Sequence, residues 1–574
     1  MRLKRTPKLS YWLIPLVLVF FSGVTQAAPF ENSPFGPAVA ASLELRETPD
    51  PSKGNRLALI SNGYEALLLR VHLIRQAKTS ITIQTFIWTN DECGRLLIYE
   101  LIEAAKRGVK VRIVADHLFS DQSPDIVAFL ASVHSNLEIK HYRPATSRMK
   151  PSALRTMLAG LLSFHDVNQR MHSKVMIFDE TILLTGGRNI ENTYYDHSTS
   201  LNFRDRDVLA IGPVVRMAVG EFEQFWKYRY SVASRDLVDV EAALKRGVFK
   251  RYGVRSDYDF GPHFAALDSE ANDTTLITNN FADRLAPVGK AVFIFDTPGK
   301  SHDAARITRE LVAALERAKS SVVIQTPYLV LSRPARKLVL AMRKKNPGLQ
   351  VQISTNSFAS TDNLFAYSAN YRLRNDYVQD LQLQIHEFKP QPSSLPILFP
   401  RYTLMAEIAK QQCKSGAAPT PTFSLHAKSL VVDDTIAFVG SYNLDPRSED
   451  LNTEVGLLVE DKTFALGLRQ EIERDMLPDN SWVIARRRFP LGLDVVNGLI
   501  DGIISLTPLD VWPIQNTSSF ELLPGATPVA PSDPVFYSRY RDVGSFPGTD
   551  GLLSQKEILA RLFKAVGSPL TPVL

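Results

Sequence analysis

Two histidines, two lysines and two asparagines recur in this 574-residue chain at one spacing. His172-Ser173-Lys174 is followed by Asp179 and then by Gly186-Gly187-Arg188-Asn189. His426-Ala427-Lys428 is followed by Asp433 and then by Gly440-Ser441-Tyr442-Asn443. From His172 to Asn189, and again from His426 to Asn443, the interval is 17 residues. An imidazole attacks when neutral and donates when protonated, and two of them near neutral pH can divide those roles. Ammonium and amide groups donate to non-bridging phosphate oxygens and offset the charge of a pentacoordinate transition state. The set therefore suits phosphoryl transfer without a metal or other cofactor. One histidine attacks phosphorus, and the other protonates the leaving alkoxide and then deprotonates the incoming alcohol or water. The candidate catalytic residues are His172, Lys174, His426 and Lys428, with Asn189 and Asn443 binding phosphate. Asp179 and Asp433 complete the catalytic motif, although strand ends suit bonding backbone or bracing the halves better than direct chemistry.

Each imidazole also needs an acidic partner to orient it. Glu454, in Asn452-Thr453-Glu454-Val455, follows the second motif on an apparent strand. In the first half Asp205 and Asp207 compete. Asp207 is preferred, because Val208-Leu209-Ala210-Ile211 then continues as the strand. A lone histidine on a strand is more often a satisfied core group, and a lone Gly-Gly is usually a turn. Recurrence at matched spacing is what overturns those readings here.

The elements that position these residues read as α/β. Glu65 to Gln76 is an amphipathic helix, Ile81 to Trp88 a strand, Gly94 to Gly108 a helix and Val109 to Ala115 a second strand. Along Lys174 to Phe178 the alternation throws His172, Lys174 and Met176 to one face. Ala77 to Thr85 is answered by Ala318 to Thr326, an offset of 241 (318 minus 77), against 254 (426 minus 172) at the motifs. A repeat this long is a duplicated domain. The halves are placed at 51–250 and 275–480, joined by a polar segment from Asp257 to Asp283. A tether over 28–50 precedes them and a C-terminal extension over 481–574 follows.

Composition bounds the partners. Hydrophobic residues make up 45% and charged residues 22%, as in a globular protein of more than one domain. The formal charge is +6, but Arg2, Lys4, Arg5 and Lys8 lie in the first 27 residues, and without those four it is 6 minus 4, or +2. So balanced a body offers no electrostatic case for nucleic acid, which is not expected as a partner. The basic start, the apolar run Tyr11 to Val24 and the small residues Thr25 and Ala27-Ala28 read as a signal peptide over 1–27. The body is then exported and periplasmic, peripheral to or anchored in the inner membrane, with secretion the alternative. Cys93 and Cys413, the two cysteines, have no metal-ligand spacing. Pro151 to Phe164 sets Leu154, Met157, Leu158, Leu161 and Leu162 on one stripe, either a packed helix or a lipid-facing lip. Leu491 to Ile514 is apolar and follows Arg486-Arg487-Arg488, which suits an anionic membrane surface or a docked helix. A last helix is expected from Ser554 to Val566.

The doubled H-x-K-x-x-x-x-D, with Gly-Gly or Gly-Ser and an Asn beyond it, resembles the phospholipase D superfamily. Gly186 to Ile190, Asp207 to Pro213, Ser424 to Lys428, Asp445-Pro446-Arg447-Ser448 and Leu451 to Glu454 look like bacterial cardiolipin synthase of the C type, as do Thr355-Asn356-Ser357 and Glu387 to Pro390. The resemblance covers about residues 55 to 480. It implies two tandem α/β/α sandwich domains related by a pseudo-twofold, with both motifs in one active site. It further implies transfer of a phosphatidyl group between phospholipids, phosphatidylglycerol and phosphatidylethanolamine among them, at a membrane surface. By that resemblance His172 and His426 are nucleophile and acid–base, with His172 taken as the nucleophile. A long tail and a cleavable signal each fit a secreted phospholipase D better than a resident synthase, so hydrolysis to phosphatidic acid stands as the alternative. A nuclease or a non-catalytic lipid-binding scaffold fits less well.

Overall fold

The computed structural model describes residues 28–117, 123–144, 147–150, 169–260, 264–301, 305–413, 420–488 and 516–549. The signal segment, the stripe from Pro151 to Phe164, the run from Leu491 to Ile514 and the helix from Ser554 to Val566 lie outside the described residues.

Two mixed sheets form the frame. The first runs, edge to edge, Ala286–Pro287, Arg56–Ile60, Asp207–Ile211, Ile182–Gly186, Val175–Phe178, Ser80–Thr85, Lys110–Asp116, Leu137–Tyr142 and Ser231–Ala233. The second repeats this order with Lys290–Phe295, Val455–Glu460, Ile436–Gly440, Lys428–Val432, Ser321–Gln325, Gln350–Asn356, Gln384–Phe388 and Ser481–Arg486, then adds Thr517–Leu522 and Tyr540–Gly544. In each, three central strands are parallel and the histidine-bearing hairpin pairs antiparallel to them.

Strand alternation builds two kinds of core. Val175 and Ile177 face a shared core with Val431, Val439 and Leu457 of the other half. Met176 and Phe178, one residue out of step, face the first half's own helices. Burying each such aliphatic side chain is worth about 1.5–3 kcal/mol, so the shared core holds the halves together. The helix Gly63–Gln76 is capped by Asn62, whose side chain accepts from the Glu65 N–H at 2.9 Å, and buries Leu67, Leu69, Val71 and Ile74.

Three boundaries differ from the sequence reading. The stretch read as a tether forms the helix Gly36–Glu44 and buries Phe30, Phe35 and Val39 in the first core. The stretch read as a polar joint buries Phe264, Leu267, Ala271, Ile277 and Phe281 in that same core. Sparse apolar residues in polar surroundings were enough to dock it. The boundary at 480 also falls short, because Ser481–Arg486 pairs with Gln384–Phe388 as an integral strand. No disulfide joins Cys93 to Cys413.

The halves cross at two places. Leu201–Arg204 pairs in parallel with Thr422–Leu425, and the His426 N–H donates to the Arg204 carbonyl at 2.8 Å. Met171 bridges Thr453 in parallel, and the His172 N–H donates to the Thr453 carbonyl at 3.0 Å. Each histidine is thereby tied to the segment carrying an acid of the opposite half.

Candidate active site

His172 and His426 sit just before their strands, almost fully buried. The Nδ1 of His172 lies 2.8 Å from Oε2 of Glu454, and the Nδ1 of His426 lies 2.7 Å from Oδ2 of Asp205. Both pairs cross between the halves. A carboxylate on Nδ1 fixes the tautomer and leaves Nε2 as the reactive nitrogen.

Asp207, expected to orient a histidine, does not. Its carboxylate lies 2.9 Å from Arg70 and 3.3 Å from Arg188, deep in the first half. Register explains the correction. Gly186 pairs with Asp207, and the matching Gly440 pairs with Gly456. Two residues before each of those partners stand Asp205 and Glu454, which are therefore equivalent. Gly187 has no room for a side chain, because a Cβ there would meet the Asp205 carboxylate. Its counterpart Ser441 instead donates to Glu454, as does Ser448 at 2.7 Å.

Burial and the charges of Lys174 and Lys428 push His172 well below its ordinary value. Burial, then Lys428, brings His426 down to about 4 against the pull of Asp205. Both imidazoles are thus neutral in the resting cleft. Burial raises Glu454 to about 7 against Lys174 and the two serines. Burial works the same way on Asp205, but the bond and charge of His426 win and hold its carboxyl well below the usual range.

The lysines stand against their own histidines. Lys174 donates to the His172 carbonyl at 2.7 Å and lies over the Phe86 ring, which also meets the His172 imidazole in a T-shaped contact. Lys428 Nζ is 2.7 Å from Nδ1 and 3.1 Å from Nε2 of His426, pressed on the ring. Burial pushes Lys174 far down and Lys428 down to about 8. Asn443 has its side-chain oxygen buried without a hydrogen-bond partner, whereas Asn189 donates to the Tyr194 hydroxyl at 2.8 Å. That hydroxyl lies 3.3 Å from Nε2 of His426. Sequence reasoning missed Tyr194, Ser441 and Ser448 as site residues. Ser441 carried a signal in the Gly-Ser that answers Gly186-Gly187, and Ser448 in Asp445-Pro446-Arg447-Ser448, whereas Tyr194 carried none.

A pH dependence follows. Lys428 loses its proton as pH rises through about 8, and with it the positive charge beside His426. The free-enzyme profile, kcat/KM, should therefore fall more steeply above about pH 8, where loss of the Lys428 proton adds to the earlier loss of the His426 proton. In kcat the limb should move to higher pH, because a bound phosphate anion favours the ammonium. Lys428→Arg should lower the maximum but abolish the limb, since a guanidinium stays protonated to about pH 12. A limb unchanged in that variant would assign it elsewhere.

Asp179 and Asp433, counted with the catalytic motif, point away from the cleft. Asp179 accepts from the backbone N–H groups of Lys78, Thr79 and Ser80 at 2.7–2.9 Å, and Asp433 from those of Lys319, Ser320 and Ser321 at 2.7–2.8 Å. Both stand in tight turns at positive φ, +48° and +47°, a conformation that aspartate tolerates better than most side chains. They brace the hairpin on the neighbouring strand. Asp433→Ala should cost about 2 kcal/mol of stability, from charge-assisted bonds replaced by water. Thermal unfolding should register that loss while kcat of the folded enzyme stays near wild type.

The family model described as cardiolipin synthase, PLD-like domain, matches residues 71–226 and 311–476. A Helicobacter pylori (strain J99) protein described as uncharacterized is 31% identical over 482 residues, 80% of this chain and 89% of that one. Cardiolipin synthase C of Escherichia coli K12 is 28% identical over 413 residues, 71% of this chain and 81% of that one. The phosphatidylserine synthase structure of Haemophilus influenzae Rd KW20 shares the fold, with a TM-score of 0.50 at 15% identity, over 82% of this chain and 98% of that one. With one histidine and one lysine of a shared cleft in each matched repeat, the chain belongs to the cardiolipin synthase, phospholipase D-like family.

Proposed function

We propose that this protein is an exported phosphatidyltransferase that makes cardiolipin from phosphatidylglycerol and a second phospholipid. The observation carrying this reading is the pair of buried imidazoles, each held at Nδ1 by an acid of the opposite half. His172 Nε2 attacks phosphorus, and the bond to the head-group oxygen breaks as His426 delivers its proton to that oxygen. The product is a phosphatidyl group on His172 and a free head-group alcohol. His426, now neutral, takes the proton of the second lipid's hydroxyl as that oxygen attacks phosphorus and the P–N bond breaks. An anionic phosphodiester in the cleft raises the proton affinity of His426 from its resting value, so it can begin the cycle charged. His172 is assigned the attack because the Tyr194 hydroxyl stands at Nε2 of His426. Lys174, Lys428 and Asn443 face the developing charge.

Mass spectrometry of lipids tests this, after incubating the protein with mixed phosphatidylglycerol and phosphatidylethanolamine vesicles and with His172→Ala as control. Cardiolipin accumulating only with the intact protein is expected. Phosphatidic acid without cardiolipin would make water the acceptor and the protein a phospholipase D. No lipid product would overturn the substrate class.

A further inference from the structure

The second half holds an apolar cavity of about 220 Å³, walled by the helices Arg306–Glu316 and Arg333–Lys345 and floored by the sheet. Leu311, Leu315, Ala335 and Leu338 line the walls, and Leu430 and Phe438 line the floor with Ile324. A cavity of about 150 Å³ with such walls admits benzene. The same space is closed in the first half. Ile83, Met176 and Leu184 correspond to Ile324, Leu430 and Phe438 by the offsets of the repeat, and they belong to one core with the fully buried Leu67, Val71, Leu97 and Leu101. The opening is therefore a property of one repeat and not of the fold.

Its position connects it to the chemistry. Leu430 lies two residues beyond Lys428 on one strand, so both face the same side of the sheet. Tyr442, also in the lining, stands between Ser441, which bonds Glu454, and Asn443. The helix Arg333–Lys345 carries six basic and no acidic residues, with Arg333, Lys337 and Lys344 outward beside the exposed Leu340. A basic outer stripe on the wall of an apolar cavity suits the surface of an anionic bilayer.

We propose that this cavity receives part of one acyl chain of the phosphatidyl donor, guiding its phosphate to Lys428; the inference rests on the phospholipid reading above. The free head-group side of the lipid then points away from the cavity, toward the acceptor.

Two measurements test it. The full chain carrying His172→Ala is irradiated on vesicles of phosphatidylglycerol that bears a diazirine on its acyl chain, and labelled peptides are mapped. Label on the segments containing Leu311 to Leu315, Ala335 to Leu338 or Leu430 is expected, and label confined elsewhere would overturn the proposal. Separately, Ala335→Phe and Leu338→Trp narrow the cavity. Each should lower kcat/KM for a long-chain donor by about tenfold or more, while changing that for soluble bis(p-nitrophenyl) phosphate by less than about twofold. Equal effects on both substrates, or none, would also overturn it. If the intact protein labels in the cavity but turns over no lipid, the proposed reaction fails and the acyl site stands.

Discussion

Replacing His172 or His426 by alanine should each lower turnover by about 10⁴- to 10⁶-fold, as when a covalent nucleophile or its acid–base partner is lost. The two losses should differ in kind. An alkoxide leaving group needs a proton, so His426→Ala stalls on natural lipids. An aryl leaving group departs without one. A phosphatidyl nitrophenyl ester should therefore release nitrophenol in a single burst with His426→Ala and leave the phosphatidyl group on His172, detectable as added mass on its peptide. His172→Ala should give neither burst nor adduct. Circular dichroism of both variants should match the parent. Each imidazole makes one principal bond to the other half, and the backbone bonds that tie the halves at Arg204 and Thr453 remain. Full activity in either variant would sink the two-motif mechanism. An adduct on His426 in place of His172 would reverse the roles.

The second large effect separates two aspartates two residues apart. Asp205→Asn should reduce kcat by about 10²- to 10⁴-fold with little change in KM, because an amide does not enforce the reactive tautomer of His426. Glu454→Gln should act likewise on His172. Asp207→Asn should behave differently. It leaves Arg70 and Arg188 buried without their carboxylate, which typically costs about 3–5 kcal/mol of stability, while the folded fraction turns over normally. Kinetics beside thermal unfolding for all three variants decides the matter. Loss of kcat in Asp207→Asn at unchanged melting temperature, with Asp205→Asn fully active, would restore Asp207 as the orienting acid.

Much of the candidate site is legible in the chain. His172 with Lys174, and His426 with Lys428, are close in sequence, and the interval of 17 to each asparagine spans one hairpin and its exit. Such spacings are local, so periodicity and repetition expose them. The same holds for the helix from Gly63 and the strands that follow it. It held less well where apolar residues are sparse: Phe30, Phe35 and Val39, and again Leu267 to Phe281, look like parts of linkers until a core is present to receive them.

What only the tertiary structure decided is which distant groups meet. Asp205 and Asp207 differ by two positions, and a shift of two leaves every side chain of a strand on its own face. Alternation therefore cannot choose between them, and only the pairing of Gly186 with Asp207 and Gly440 with Gly456 does. No local pattern shows that each histidine takes its acid from the opposite half, because that depends on strands pairing across the pseudo-twofold, from Arg204 to Leu425 and from Met171 to Thr453. The open space beneath Leu338 and the closed one beneath Leu97 are likewise invisible in two similar repeats, since a cavity is what packing leaves unfilled.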